Sequence, residues 1–385
     1  GQVPRVRVDG ELIPLDMPPL DAAGVEVLMR EVCPDRQWER FRQQHDLDFA
    51  YAIEGRARFR CNYLYTADGL AAVLRAIPNV VQTLDELHLP EVLREVCCYR
   101  QGLIVVTGPT GSGKSTTLAS MIDYINSRLA RRIITIEDPV EFVHTARKSV
   151  IIHREVGLHC ASFAEALRSA ARGDPDVILL GEMRDSETIR LALDSAARGA
   201  LVFATLHTNS APKTLDRIVD AFPADEQPQI RGLLAETLAA VIAQLLCRRA
   251  DARGRVAAHE ILVRTPSLPN AIRDGVGGAV QSIIDGGGSM GMVSLDASLK
   301  RLHAEGRISA FEAYMKAASK EEFATAVAHD HDELGGGARL AELDHRRYTT
   351  ALFPDRGPQE APAGTPPTAP PAAERPPEPP PPAGP

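Results

Sequence analysis

Four short apolar runs punctuate the middle of the chain: "GLIVVTG", "RRIITIED", "PDVILLGE" and "GALVFATLH". Each is too short for a helix and too uniformly apolar for a strand with one wet face. Each therefore predicts a strand buried on both faces of a parallel sheet. Helical or irregular sequence follows every run until about Ile284, and that alternation is the signature of an α/β fold. Ahead of it, "LHLPEVLREVCCYRQG" reads as a helix running into a turn.

Nearer the start, "DFAYAIEGRARFRCNYL" predicts two strands joined around Glu54-Gly55, a hairpin signal. Because side chains alternate along a strand, Arg56, Arg58, Arg60 and Asn62 should share one face, while Ala57, Phe59, Cys61 and Tyr63 pack on a core. The arginine row fits either a solvated edge or a basic patch facing an anion. A helix is expected from Asp68 to Arg75, ending before Pro78. From Ser294 to Phe323 apolar residues recur at helical spacing (Leu295, Leu299, Leu302, then Ile308, Phe311, Tyr314), with Gly306 as a break, so a small helical hairpin is expected. Between Pro354 and Pro385 proline makes up nearly half of the residues. Such a stretch cannot bury apolar area and predicts a disordered, partly polyproline-II tail.

At 385 residues the chain has room for two or three domains. No apolar run is long enough to span a bilayer, and the first residues show no signal-peptide pattern. A net charge of −8 argues against a nucleic-acid binder, which would carry a basic face. The six cysteines (Cys33, Cys61, Cys97, Cys98, Cys160, Cys247) form no CxxC pair and show no metal-ligand spacing, so buried thiols in a reducing cytosol are expected.

The chemistry gathers where the predicted strands end. "GPTGSGKSTT" follows one strand and opens a helix, which is the context of a phosphate-binding loop. Gly108, Pro109, Thr110, Gly111, Ser112 and Gly113 would cradle phosphates through backbone N–H groups, with Lys114 reaching the β- and γ-phosphates. Ser115 would bind Mg²⁺, and Ser115 and Thr116 complete the expected nucleotide-binding set. Parallel strands end on one side, so Glu182 of "VILLGEMRDSE" should reach the same Mg²⁺, directly or through water. "ITIEDPVEF" delivers Glu137, Asp138 and Glu141 to that edge. Mg²⁺ needs only one or two carboxylates, which leaves an acid free to orient or deprotonate water. Asp185 and Glu187 are expected to cap the next helix. His207, at the end of "FATLH", is expected to sense the γ-phosphate.

"GPTGSGKSTT", "IEDPVEF", "REVG", "DPDVILLGEMRDSETI", "FATLHTNSA" and "RVAAHEIL" resemble the boxes of bacterial secretion ATPases, and their order is most similar to the type IV pilus retraction, or PilT-type, ATPases. The resemblance runs from about Val3 to Phe323. It implies a P-loop RecA-like ATPase domain (101–290) preceded by a smaller α+β PAS-like domain (1–88) and a linker (89–100). A C-terminal helical segment (291–330) and the linker and tail (331–385) complete the expected division. Implied cofactors and partners are ATP, Mg²⁺, the chain itself as a homohexamer, an inner-membrane pilus platform protein and a paralogous retraction ATPase. The place implied is the cytoplasmic side of the pilus machine. Glu141 matches the glutamate proposed as general base, Glu182 the Walker-B glutamate and His207 the His-box histidine. Arg58, Arg60 and Arg75 match arginines of the N-terminal domain that close on the nucleotide.

The chain departs from the family pattern at three places. A further arginine usual after "RFRCN" is missing in "YLYTADG". The family's "AIRNLIRE" segment reads "SLPNAIRDG", with Pro269 in place of its first arginine while Asn270, Ile272 and Arg273 persist. The glycine-rich "DGVGGAV" and "DGGGSMG" suggest a looser C-terminal part. An accessory, weakly active copy that modulates another retraction motor therefore stands as an alternative. A pilus-assembly or type II secretion ATPase is another, disfavoured because the four-cysteine zinc site usual there is not found in this sequence. A RecA-like nucleic-acid motor is disfavoured by the acidic balance.

Overall fold

The structure, a computed structural model, describes residues 3–8, 11–54, 56–77, 80–275 and 277–333. The expected proline-rich tail lies outside the described residues. Residues 1–328 form one compact unit, and 329–385 fall in a second.

The N-terminal part opens with a two-stranded ribbon, β1 (Arg5–Val8) and β2 (Glu11–Pro14). Two helices follow, α1 (Ala22–Val32) and α2 (Asp35–Gln44), and then an antiparallel meander of β3 (Asp46–Ile53), β4 (Ala57–Thr66) and β5 (Gly69–Ile77). Alternation along β4 works as expected. Cys61 and Tyr63 join Trp38, Phe41, Leu47 and Phe49 in one core, and the Tyr63 hydroxyl donates to Met29 O at 3.0 Å. Arg58, Arg60 and Asn62 take the other face, while Arg56 falls in the turn before the strand.

The helix expected over Asp68–Arg75 is a strand. "GLAAVLRAI" is rich in alanine and leucine, which favour helix, but β5 pairs with β4 from Thr66↔Gly69 to Arg58↔Ile77. Strand pairing outweighs a propensity worth only tenths of a kcal/mol per residue.

The central sheet has seven strands in the order β12-β11-β6-β10-β9-β7-β8. After α3 (Val92–Cys97) come β6 (Gly102–Thr107), α4 (Lys114–Arg128), β7 (Arg132–Glu137), β8 (Val150–Glu155) and α5 (Phe163–Ala171). The run continues through β9 (Val177–Leu180), α6 (Ser186–Ala197), β10 (Leu201–Leu206), α7 (Ala211–Asp220), α8 (Gln227–Thr237), β11 (Leu238–Arg248) and β12 (Arg255–Val263). β6, β7, β9 and β10 are the four strands expected from the apolar runs, and their mutual pairings are parallel. Every residue of β6, β9 and β10 is buried, as doubly covered strands must be. β8 and β11 extend the parallel sheet, and β12 closes it antiparallel to β11. Leu84, Leu89, Val92, Leu93 and Val96 pack into this same core, and the Ser120 hydroxyl on α4 donates to Gln82 O at 2.6 Å.

The C-terminal part contains α9 (Leu268–Asp274), α10 (Gly277–Gly286), α11 (Leu295–Ala304), α12 (Ala310–Lys316) and α13 (Glu321–Glu333). Pro269 sits in the first turn of α9, where its missing N–H costs nothing. The glycine-rich stretch expected to be loose carries α10, whose Val280 and Ile284 are buried. α11 and α12 form the expected hairpin, with Gly306 at φ +69° between them and Leu299, Leu302 and Ile308 in a small core with Cys247 and Phe323. All six cysteines are free; five are buried and Cys98 is exposed. No helix among the described residues is long and apolar enough to cross a membrane.

Candidate functional site

Because the strands of a parallel sheet end on one side, Thr107, Glu137, Glu155, Glu182 and His207 arrive at a single edge. The phosphate loop leaves β6 there. Gly108 has φ +144°, and a Cβ on it would stand 2.2 Å from Gln244 O. Gly113, at φ +89°, begins α4, and a Cβ would stand 2.8 Å from Gln244 Nε2. Glycine is required at both positions by backbone conformation and by lack of space. Pro109, Thr110 and Gly111 form the exposed rim, and Ser115 and Thr116 lie half-buried in the first turn.

The loop fits a phosphate group on three observations. The α4 N-terminus has no side-chain cap, so its backbone N–H groups are available to an anion. Ser112 Oγ is buried without a partner. Lys114, only 9 % exposed, turns its ammonium onto Gly108 O at 2.8 Å and Pro109 O at 3.1 Å. Burial lowers the Lys114 pKa, while the charges of Glu182 and Glu141 raise it. Lys114, Glu182 and Glu141 thus share one electrostatic neighbourhood.

Glu182 is held from two sides: Arg184 Nε lies 2.7 Å from Oε2, and His207 Nε2 lies 3.1 Å from Oε1. Asp185 caps α6, accepting from Thr188 N at 2.8 Å, whereas Glu187 pairs with Arg168. Glu141 reaches back, its N–H donating to Glu137 Oε2 at 3.3 Å. Burial pushes the Glu137 carboxyl up to about 7 against the hydrogen bonds that favour its charge.

The N-terminal arginines divide. Arg58 NH2 lies 3.6 Å from Glu155 Oε2, which also accepts from Val140 N at 3.1 Å. Burial raises the Glu155 pKa despite that guanidinium, and Arg58 Nε is buried without a partner. Arg60 lies 3.3 Å from Asp48 and 4.0 Å from Glu141. Arg75 sits opposite Arg60 in the sheet register, exposed, and forms no ion pair among the described residues. The structure therefore brings Arg58 and Arg60 to the acids and leaves Arg75 apart.

Several site-lining residues were not predicted from sequence. Gln244, a lone amide in the apolar "LAAVIAQLLC", lies beside the phosphate loop; a polar residue in a buried run was the available signal. Glu155 stood inside a quoted box, but its contact with Arg58 joins strands distant in sequence. Arg184, by contrast, lies only two positions from Glu182, and that spacing was the available signal.

A parallel sheet ending in an uncapped phosphate loop, a lysine and convergent carboxylates defines a P-loop ATPase. The chain belongs to the family described as type II/IV secretion system protein, whose model matches residues 3–317. It is 49% identical over 323 residues to the type IV pilus retractation ATPase PilT of Pseudomonas aeruginosa, covering 84% of this chain and 94% of that one. It is 37% identical over 309 residues to the type IV pilus ATPase PilU of the same organism, covering 80% of this chain and 81% of that one. The solved structure of the pilus retraction motor PilT with bound ADP superposes with a TM-score of 0.77 at 41% identity, covering 84% of this chain and 92% of that one.

Proposed function

We propose that this chain is a Mg²⁺-dependent, hexameric motor whose ATP hydrolysis powers pilus retraction at the cytoplasmic face of the inner-membrane pilus machine. The observation that carries this is the meeting of Lys114, Glu182 and Glu141 at one sheet edge, with Arg58 and Arg60 of the N-terminal part turned onto acids of that edge. Likeness over 84% of the chain to a retraction ATPase supports it, whereas a pilus assembly ATPase of Myxococcus xanthus matches 64% of the chain at 33% identity. The division into an N-terminal domain (1–88), linker (89–100), ATPase domain (101–290), helical segment (291–330) and tail (331–385) belongs to the same proposal.

In this reading Lys114 exchanges the Gly108 and Pro109 carbonyls for phosphate oxygens, and the uncapped α4 N-terminus holds the rest of the phosphate chain. Ser115 and Glu182 would hold Mg²⁺, which when bound neutralises charge on the phosphates. Glu141 orients and deprotonates the attacking water, and His207 reads the γ-phosphate through its contact with Glu182. Arg58 and Arg60 complete the charge stabilisation when the ring closes; such arginines contribute roughly 10³- to 10⁵-fold in rate.

Expression in a piliated bacterium that lacks its own retraction motor tests the reading. Restored twitching motility is expected. A chain that hydrolyses ATP yet restores motility only beside another retraction motor would be the accessory copy instead.

A further inference from the structure

β11 and β12 carry a buried polar network that the nucleotide chemistry does not by itself require. Gln244 and His259 stand directly opposite each other in the antiparallel register. The Gln244 amide has a fixed orientation. Its Oε1 accepts from Thr117 Oγ1 at 2.8 Å and from His259 Nε2 at 3.2 Å, and its Nε2 donates to Ser112 O at 2.6 Å. Ser112 lies in the phosphate loop, 132 positions away in the sequence. Both side chains are almost wholly buried, at 3% and 2% exposure. Burial holds His259 neutral, its pKa down at about 4, so one ring nitrogen carries the proton that Gln244 accepts.

The same two strands reach the C-terminal helices. The His259 N–H donates to the buried Ser298 hydroxyl of α11 at 3.1 Å. The neighbouring Glu260 points to the opposite face, where it accepts from Ala211 N, at the start of α7, at 2.6 Å and from the backbone N–H of Leu295 in α11. Adjacent residues of β12 therefore tie α11 to the phosphate loop through His259 and Gln244, and to the segment after His207 through Glu260. Side chains this buried have little slack, because interiors are close-packed.

We propose that Gln244 and His259 are positioning residues that hold the phosphate loop ready for the nucleotide and couple its occupancy to the C-terminal helix α11. The Gln244 side chain touches the loop and not the reacting atoms; it acts by fixing Ser112 O and by filling the space that Gly113 leaves. Coupling is reciprocal, so nucleotide in the loop must steady α11 by as much as α11 steadies the loop.

The inference rests on the nucleotide reading of the loop, and the test separates the two. ADP affinity, thermal midpoint and amide hydrogen exchange are measured on the full chain for wild type, Gln244→Leu, Gln244→Glu and Lys114→Ala. Gln244→Glu keeps acceptors for Thr117 and His259 but sets an oxygen against Ser112 O, so it reports on the loop contact should Gln244→Leu fail to fold. Expected is an ADP affinity about tenfold weaker in both Gln244 variants, equivalent to one lost buried hydrogen bond. ADP should also slow exchange in β12 and α11 of the wild type, and this protection should vanish in the variants. ADP affinity equal to wild type in a folded Gln244 variant, or α11 protection undiminished there, overturns the proposal. A purely structural role would lower the midpoint and leave affinity and protection intact. Full ADP binding by Lys114→Ala would instead remove the nucleotide reading itself.

Discussion

Glu182 Oε1 stands 3.1 Å from His207 Nε2, a contact made possible because β9 and β10 are parallel neighbours that end together. With Arg184 on its second oxygen, Glu182 has few orientations left. Glu182→Ala should therefore bind ATP within a few-fold of wild type but turn over at least about 10²-fold more slowly, the size of effect seen when a preorganised electrostatic group is removed. His207→Ala should lose about tenfold, since Arg184 still holds the carboxylate. Steady-state turnover beside nucleotide binding reads both; equal turnover in Glu182→Ala and wild type would reject the assignment.

Lys114 now satisfies its buried ammonium with two loop carbonyls, so its contribution appears only when phosphate replaces them. Lys114→Ala should weaken nucleotide binding by on the order of 10- to 100-fold, the range of a charge-assisted hydrogen bond. Binding of a fluorescent nucleotide checks this, and high salt should shrink the difference little because the lysine is buried.

Much of this edge is legible in the amino-acid sequence. The four apolar runs became β6, β7, β9 and β10 because burial on both faces leaves its mark residue by residue. The phosphate loop is legible because its glycines and lysine are contiguous. β5 reads as a helix because "AAVL" favours helix locally while β4 decides its state from outside. β11 carries too much alanine and leucine to announce itself as a strand. The contacts of Arg58 with Glu155, and of Gln244 with Ser112, join positions far apart in sequence, and no local pattern encodes such pairs.

Arg58 faces Glu155 across 3.6 Å, with side chains 21% and 7% exposed. Arg58→Ala would leave the buried acid without its cation. We expect a loss of about 1–3 kcal/mol in unfolding free energy, below the 3–5 kcal/mol of a fully buried pair because the contact is long and partly wet. Denaturant unfolding checks the value. Glu155→Gln in the same background should recover part of it, and no recovery would show that the pair is not the cause.

Glu137 titrates near 7 in the fold, against 4.5 for an ordinary glutamate, because burial disfavours its charge. Between those values the folded protein holds the proton and the unfolded chain does not. Its contribution to stability is therefore complete below pH 4.5 and is lost as pH rises through 7. The loss should reach about 3 kcal/mol. Unfolding free energies of wild type minus Glu137→Gln should fall across that window; parallel profiles would refute the shift.

The central claim is that arginines of the N-terminal part complete an ATPase site in an assembled ring. Its most direct test is ATP turnover per subunit against protein concentration, for wild type beside Arg60→Ala, whose side chain is half-open and 4.0 Å from Glu141. The wild-type rate should climb steeply as subunits assemble, while the variant stays near the dilute rate. A rate that is flat with concentration and equal in both proteins would contradict the claim.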